Sequence, residues 1–307
     1  MLDKVEQRLS SQLRRVVTNG QAIYEKCYVT NDWDTDLDVI RRRAEDEASL
    51  LRQIELSELF GDRLGVVRVA SADPSSGTIA THEVPGRTLD EQIIHGGAER
   101  KKLQPWFLAG RWLRQFQLLP MSRDPASFET IRDPAQMRDY CDLRLKSLLE
   151  LGYGWPNKAI RESTLRTIER LQNEVPSGEF CSVWVHSDFS PGNLLWDGHR
   201  LTPIDFAMVS GGHPLADATY LIHRAEMNRI YRPWLNLPVT SIRNAVLRGI
   251  GMPNAVQSPA YRLLMIKHHI CRLHTYVRRP ARNIKQAWHD RWVRTILRRK
   301  LRQLCEA

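Results

Sequence analysis

The chain has 307 residues, of which 42% are hydrophobic and 26% charged, and a formal net charge of +10. This length allows one large domain or two smaller ones, and no run approaches the roughly eighteen apolar residues of a membrane span. The first residues lack the apolar core and cleavage site of a signal peptide. The five cysteines are far apart, without a CxxC pair, which argues against a disulfide framework and a structural zinc site. We therefore expect a cytoplasmic protein.

The first third of the chain predicts a small β-rich region with one long helix. Apolar residues recur at helical spacing in the helix and alternate in the strands. An Asn-Gly pair at 19–20 is a strong signal for a tight turn between the first two strands. The predicted elements are strands at 14–17, 22–29, 64–71 and 77–84 and a helix at 36–56.

From residue 89 onward, helical patterns dominate. The predicted helices lie at about 100–119, 135–151, 160–174, 214–228, 257–277 and 283–304. The exception is the region 182–206, where short strands frame polar loops. The sequence therefore predicts an α+β organisation, with a small β-rich part followed by a larger, mainly helical part.

The region 182–206 places carboxylates, an amide and a histidine beside a short apolar run. The spacing is His186-x-Asp188-x-x-x-x-Asn193, and a second aspartate, Asp205, follows between Ile204 and Phe206. Phosphoryl transfer to a hydroxyl needs a carboxylate for the hydroxyl proton, oxygen ligands for Mg²⁺ and a cation on the phosphates. Asp188, Asn193 and Asp205 can supply the first two. A polar β-hairpin turning at 197–198 is the alternative, which the order and spacing of these groups disfavour.

These motifs resemble those of the aminoglycoside phosphotransferase and choline-kinase branch of the protein-kinase-like superfamily. Protein kinases have a related H-R-D-x-x-x-x-N loop, but they usually carry a lysine where Ser190 stands here. They also have Asp-Phe-Gly in place of the triplet around Asp205, and both differences favour the small-molecule branch. The resemblance implies a two-lobed protein-kinase-like fold, with a small β-rich N-lobe, a larger mainly helical C-lobe, and ATP and Mg²⁺ in the cleft between them.

The resemblance also implies a role for each polar residue. Asp188 would be the catalytic base, and His186 would support its loop. Asn193 and Asp205 would be the Mg²⁺ ligands. Asp217, in the stretch HPLADATYL, resembles a later aspartate of the family that braces the catalytic loop from the start of a helix.

The N-lobe of such a protein needs a strand lysine for the phosphates and a helix glutamate to hold it. Lys26 lies on a predicted strand and shares a face with Ala22 and Tyr24. Glu47, in the stretch EASLL, matches the family's helix glutamate, and Glu45 is the competing choice. We therefore expect Lys26 to contact the nucleotide and Glu47 to brace it.

The stretch 81–91 resembles the hinge that joins the two lobes in this family. Backbone groups near Glu83 and Val84 would then meet the adenine edge of the nucleotide. The glycine-rich phosphate loop of the family is poorly represented, because only the short stretch 18–21 stands at its position. The predicted boundaries are an N-lobe at 1–86 with a hinge near 82–87, and a C-lobe at 87–307 with a catalytic loop at 186–206, a helical insert at about 120–180 and basic C-terminal helices at about 257–304.

The positive charge of the chain is concentrated near its C-terminus. Between Arg262 and Arg302 there are thirteen Lys or Arg residues against one acid, a local charge of +12 that leaves −2 for the remainder of the +10. Three interpretations of the helix 283–304 compete: a closing helix of the C-lobe with a solvated basic face, a basic amphipathic helix at an anionic membrane surface, or a nucleic-acid contact. The third ranks lowest because no recognised module surrounds it.

Two details of the C-terminal region bear on these interpretations. The membrane interpretation places the apolar side chains of Trp288, Trp292, Ile296 and Leu301 at the headgroup boundary. Nearby, a group of three histidines has no Cys or carboxylate at ligand spacing. We therefore favour ordinary histidines within a helix over a metal site. The group consists of His268, His269 and His274.

Taken together, these patterns predict an ATP- and Mg²⁺-dependent kinase that phosphorylates a hydroxyl of a small molecule or glycan-type acceptor. Alternatives are a catalytically silent kinase-like binding protein, or a kinase acting on a protein or a membrane-borne lipid-linked saccharide. The basic C-terminal helices disfavour a polycationic acceptor and favour a neutral, anionic or membrane-borne one. We expect a cytoplasmic enzyme, with peripheral contact to the inner face of the membrane as a further possibility and with nucleic acid disfavoured.

Overall fold

A computed structural model describes most of the chain. The described residues are 5–7, 11–18, 20–30, 36–121, 133–152, 155–180, 182–278 and 281–306. They form a small β-rich N-terminal part and a larger helical part. The predicted α+β, two-lobed arrangement is confirmed. The lobe boundary between residues 86 and 87 stays a prediction.

The N-terminal part is an antiparallel five-stranded sheet, in the order β1-β2-β3-β5-β4, with one helix packed on it. The elements are β1 (Val5–Gln7), β2 (Ser11–Thr18), β3 (Gln21–Tyr28), α1 (Leu37–Leu56), β4 (Val69–Asp73) and β5 (Thr78–His82). Thr18 pairs with Gln21, as the predicted two-residue turn requires, although Asn19 itself lies outside the described residues. Asp36 caps α1 by accepting the Asp38 N–H.

The predicted strand at 64–71 is wrong in its first half, because β4 begins at Val69. The preceding residues run along the C-lobe instead. Gly65 donates its N–H to the Leu201 carbonyl at 2.7 Å, and its own carbonyl accepts the Trp112 indole N–H at 3.0 Å. A Cβ at Gly65 would collide with the Thr202 side chain, so this close approach requires glycine. The apolar character of the segment therefore reflects burial between the lobes.

The C-terminal part contains eight described α-helices. They are α2 (Leu89–His95), α3 (Gln104–Phe116), α4 (Pro134–Glu150), α5 (Lys158–Asn173), α6 (Ala216–Tyr231), α7 (Val239–Ile250), α8 (Pro259–Arg278) and α9 (Ile284–Glu306). The six predicted helices are present, and α3 is shorter than predicted because a 3₁₀ turn occupies 97–101. Helices α2 and α7 were not predicted. In α7 the β-branched residues lower helix propensity, and burial against α3 compensates.

Short strands hold the polar loops of the C-lobe. They form two small sheets, one of three strands and one of two. The three-stranded sheet joins β6 (Arg87–Thr88), β8 (Leu194–Trp196) and β9 (Leu201–Pro203), and the two-stranded sheet pairs β7 (Val183–Val185) with β10 (Ser210–Gly212). Because β6 begins at the end of the predicted hinge, its pairing with β8 anchors the hinge to the β8–β9 hairpin inside the predicted catalytic loop.

The basic helix α9 is partly core. Val293, Leu297 and Leu301 are buried at 1% exposure or less, and α9 packs on α8. Leu301 is therefore not available to a membrane surface, contrary to the face that the sequence predicted, whereas Trp288 and Trp292 are 67% and 52% exposed. Among the described residues, no helix is long and apolar enough to cross a bilayer.

Candidate active site

Lys26 meets two carboxylates between the sheet and the polar loops. Its Nζ lies 2.6 Å from Asp205 Oδ1 and 3.3 Å from Glu47 Oε2, and its side chain is 12% exposed. Burial alone favours the neutral amine, but the charges of Glu47 and Asp205 outweigh it, and the pKa of Lys26 lies well above its ordinary value. The lysine is therefore a fixed cation at neutral pH.

The buried carboxylate of Glu47 connects three parts of the structure. In addition to Lys26 on β3, it accepts the phenol hydrogen of Tyr28 and, at 2.9 Å, the backbone N–H of Phe206. Glu45, the competing choice in the sequence, is exposed. Of these two glutamates, the structure therefore places Glu47 at the lysine.

Asp205 is held in a backbone conformation that side chains rarely adopt. Its φ of 66° lies in the left-handed region, where a non-glycine residue costs about 1–3 kcal/mol. Both neighbours are fixed, because Ile204 N–H donates to the Asn193 carbonyl at 2.9 Å and the Phe206 ring lies 5.8 Å from that of Trp112. These contacts aim the Asp205 carboxylate at Lys26.

Asp188 is held from two sides. The Asn193 amide donates to Asp188 Oδ2 and to the Asp188 carbonyl, both at 2.9 Å, and the Tyr220 hydroxyl donates to Oδ1 at 3.2 Å. Burial raises the pKa of Asp188 above its ordinary value, which makes the carboxylate a stronger base. Tyr220 was not predicted, although its position one helical turn after Asp217 was a signal that could have found it.

Asp217, at the start of α6, supports the loop that carries Asp188. Its two carboxylate oxygens accept the backbone N–H groups of His186 at 2.6 Å and Ser187 at 2.9 Å. Burial raises the pKa of Asp217 to about 7, although both N–H donors favour the ionised form. Ser187 has a φ of 65°, so this carboxylate also holds a strained residue in place.

His186 is fully buried, at 0% exposure, and therefore acts on the loop rather than on a substrate. Its Nε2–H donates to the Ile204 carbonyl at 3.0 Å, which couples the Asp188 loop to the Asp205 segment. Burial lowers the pKa of His186, and the neutral imidazole packs against the Phe189 and Phe206 rings.

The predicted hinge residues follow β5, between the lobes. Glu83 N–H donates to the Ala22 carbonyl at 2.9 Å, and its carboxylate forms a bidentate pair with Arg15, with both N–O distances at 2.8 Å. Val84 N–H donates no hydrogen bond to any residue that the structure describes. The Glu83 N–H is therefore engaged within the N-lobe, whereas the Val84 N–H is not engaged by the described residues.

Asn193 and Asp205 offer oxygen atoms suited to a hard cation. Because the Asn193 amide nitrogen donates to Asp188, its oxygen is turned away from that carboxylate. Within the described ranges, no group of three or more His, Cys, Asp or Glu side chains is placed to hold a metal ion. An oxygen pair of this kind fits Mg²⁺, which usually takes one or two protein ligands and completes its shell with phosphate and water.

The three histidines of α8 each contact a different residue of the helical part. His268 Nε2 lies 3.1 Å from Thr219 Oγ1, and His274 Nε2 lies 3.1 Å from Ser147 Oγ. His269 Nδ1–H donates to the Met265 carbonyl at 2.8 Å. Each ring is thus engaged inside the helical bundle.

The sequence model of a phosphotransferase enzyme family matches residues 28–251, which is more than half of the chain. The chain therefore belongs to this family and is a phosphotransferase, and the predicted family resemblance is confirmed. No curated protein sequence shows significant similarity to the chain.

Solved structures of aminoglycoside and related kinases have a similar fold. A thermostable mutant of aminoglycoside phosphotransferase APH(4)-Ia, in ternary complex with AMP-PNP and hygromycin B, has a TM-score of 0.58 at 16% identity, over 97% of this chain and 92% of that one. The streptomycin–ATP complex of APH(2")-IIa has a TM-score of 0.58 at 14% identity, over 99% and 93%. Amicoumacin kinase hAmiN, with AMP-PNP and Ca²⁺, has 0.59 at 11%, over 97% and 88%. At these identities the likeness shows the protein-kinase-like fold.

Replacing Glu47 with Gln should weaken the fold. The change leaves Lys26 with Asp205 as its remaining charge partner and removes a buried, charge-assisted acceptor, which costs about 1–3 kcal/mol. Glu45→Gln is the matched control, because an exposed substitution usually stays within about 0.5 kcal/mol. Urea denaturation measures both free energies of unfolding. Equal values for the two variants would contradict the bracing role of Glu47.

Proposed function

We propose that this phosphotransferase transfers the γ-phosphate of ATP, with Mg²⁺, to a hydroxyl of a small molecule or glycan-type acceptor. The observation that carries this proposal is the convergence of a fixed cation, Lys26, with Asp205 and with a loop that presents Asp188 and Asn193. These are the groups that phosphoryl transfer requires: a phosphate cation, metal ligands and an acceptor base.

The nucleotide would lie in the cleft between an N-lobe at 1–86 and a C-lobe at 87–307. Its adenine would meet the Glu83 carbonyl and the Val84 N–H, and its phosphates would meet Lys26. Glu47 would keep the lysine oriented, since it holds both the ammonium and the segment that carries Asp205. The AMP-PNP and ATP complexes of similarly folded proteins support a nucleotide in this cleft.

Asn193 and Asp205 would hold Mg²⁺ through their side-chain oxygens. When bound, the ion would neutralise charge on the transferred phosphate. Amicoumacin kinase hAmiN, which has a similar fold, forms a complex with both AMP-PNP and Ca²⁺, and this supports the proposal of a divalent ion together with the nucleotide. The ion and the Lys26 ammonium would then compete for the Asp205 carboxylate.

Asp188 would orient the acceptor hydroxyl and take its proton. Burial raises its pKa, and the hydrogen bonds from Asn193 and Tyr220 fix both carboxylate oxygens. Asp217 and His186 would act through the backbone, by holding the loop in its strained conformation. A base held rigidly near the attacking oxygen lowers the barrier through orientation as well as proton transfer.

Asp188→Asn tests the proposed base. The variant should lose about 10²–10⁴-fold in kcat, because an amide cannot take the hydroxyl proton, while AMP-PNP affinity stays nearly unchanged. Steady-state kinetics on an acceptor found by a nucleotide-consumption screen, with calorimetry for AMP-PNP, measures both. Full turnover by the variant would overturn the assignment. A parent protein that binds AMP-PNP but turns over no acceptor would favour the catalytically silent alternative.

Asp205→Ala tests the proposed metal ligand. Calorimetric titration of AMP-PNP should show tighter binding with Mg²⁺ than with EDTA in the parent, and this difference should disappear in the variant. Asp197→Ala serves as the control, because Asp197 lies in the 197–198 turn, where it accepts backbone N–H groups of His199 and Arg200. A variant that keeps the full Mg²⁺ effect would rule out the role of Asp205.

We further propose that the protein is cytoplasmic and contacts an anionic membrane surface through an exposed aromatic patch. The patch consists of Trp234, Ile284, Trp288 and Trp292, which are 74%, 77%, 67% and 52% exposed. The Trp292 indole N–H donates to the Ile230 carbonyl at 3.4 Å, which brings α9 beside the turn that carries Trp234. Exposed Trp side chains among arginines are typical of a headgroup contact.

Removing the patch tests the membrane proposal. The double variant Trp234→Ser, Trp288→Ser should stop co-sedimenting with phosphatidylserine vesicles at physiological salt, because the apolar anchors are lost, and should keep its melting temperature. Leu56→Ser, which changes a leucine that is 83% exposed elsewhere, is the control and should bind as the parent does. A parent protein that does not bind these vesicles would end the proposal.

A further inference from the structure

One face of α6 leads away from Asp188 and carries arginine. Tyr220, whose hydroxyl donates to Asp188, is followed one turn later by Arg224. Residues four apart lie on the same face of a helix, so Arg224 continues the surface on which the tyrosine lies. Its side chain is partly buried, which limits the directions that the guanidinium can take.

A second arginine approaches the same surface from α8. The ring centres of Tyr220 and His268 are 5.4 Å apart, and Arg272 follows His268 by one turn on α8. The two arginines therefore occupy equivalent places, each one turn beyond a ring of this contact. Consistent with this placement, burial and Asp188 raise the pKa of Tyr220 to about 12, and the positive charges of both Arg224 and Arg272 oppose that rise.

Neither guanidinium is neutralised by its surroundings. Within the part of the chain that the structure describes, Arg224 and Arg272 form no ion pair and donate no side-chain hydrogen bond. Two like charges near one partly buried tyrosine repel each other, and a partly buried cation without a partner is costly. Asn228, one turn after Arg224 on α6, donates a hydrogen bond to Asp90 of α2 at 2.8 Å.

We propose that Tyr220, Arg224 and Arg272 line an anion-binding acceptor subsite beside Asp188, so that the preferred acceptor carries a phosphate or carboxylate group near the hydroxyl that is phosphorylated. The inference rests on the proposed function. Arginine forks bind either anion through two parallel hydrogen bonds. Two cations at this place would also reduce the repulsion between an anionic acceptor and the phosphates of the nucleotide.

Such a subsite would set this chain apart from its structural neighbours in one respect. Hygromycin B and streptomycin occupy the complexes of APH(4)-Ia and APH(2")-IIa, and an aminoglycoside is a cation at neutral pH. A polycation would be repelled by two uncompensated arginines beside the base. The structure thus favours the same transfer chemistry on an acceptor of opposite charge.

Anion titration into the nucleotide-loaded protein tests the subsite. The protein is saturated with AMP-PNP and Mg²⁺, and inorganic phosphate or acetate is titrated in calorimetrically against chloride at constant ionic strength. Phosphate or acetate should bind saturably to the parent, and Arg224→Gln and Arg272→Gln should each weaken this binding by about tenfold or more. The matched controls are Arg229→Gln on α6 and Arg278→Gln on α8, both exposed, which should bind as the parent does.

The outcomes separate the subsite from the proposed function. If the parent and the four variants bind the anion with equal affinity, or if the parent binds no anion, the proposed subsite is wrong. Binding of AMP-PNP by the parent would still support the proposed function. Failure of the parent to bind AMP-PNP overturns the proposed function, and the subsite falls with it. If phosphate binds and acetate does not, the acceptor group is a phosphate, and the reverse identifies a carboxylate.

Discussion

The buried carboxylate of Glu47 is the interaction on which the arrangement of the cleft depends. It offsets the charge of Lys26 and accepts hydrogen bonds from Tyr28 and from the Phe206 backbone. A buried ion without a partner costs several kcal/mol, so the glutamate requires the lysine, and the lysine is stabilised by both Glu47 and Asp205. As a result, one side chain fixes the positions of β3, α1 and the segment that carries Asp205 relative to one another.

A second carboxylate performs the corresponding task in the C-lobe. Asp217 holds two successive backbone N–H groups of the loop that precedes Asp188, and His186 links that loop to Ile204. Ser187 and Asp205 both have positive φ, a strain of about 1–3 kcal/mol each. Anchors on both strained residues leave the polar groups few alternative positions, which suits a reaction that depends on orientation.

The positive charge of the C-terminal helices has more than one use. Lys300 pairs with Glu226 at 3.1 Å, and Arg262 donates to the Leu304 carbonyl, so part of the charge stabilises the packing of α9. Arg272, by contrast, lies near Tyr220 on the surface that leads from the proposed base. The net charge of the chain therefore does not show what its individual charges do, since some of them stabilise the packing of the helices.

The sequence by itself predicted the two-lobed fold, through the resemblance that its motifs bear to a kinase-like family. It also predicted which residues the polar loops present, because the His186-to-Asp205 motif is local and its spacing can be read directly. It also narrowed the helix glutamate to two choices. Only the tertiary structure decided between Glu47 and Glu45, since burial of one face of α1 depends on what packs there. Likewise Tyr220 meets Asp188 across 32 residues, and the buried segment after Leu64 resembles a strand until its partner, Leu201, is known. Local patterns report periodicity and residue chemistry, but a contact between distant residues depends on how the helices and sheets pack.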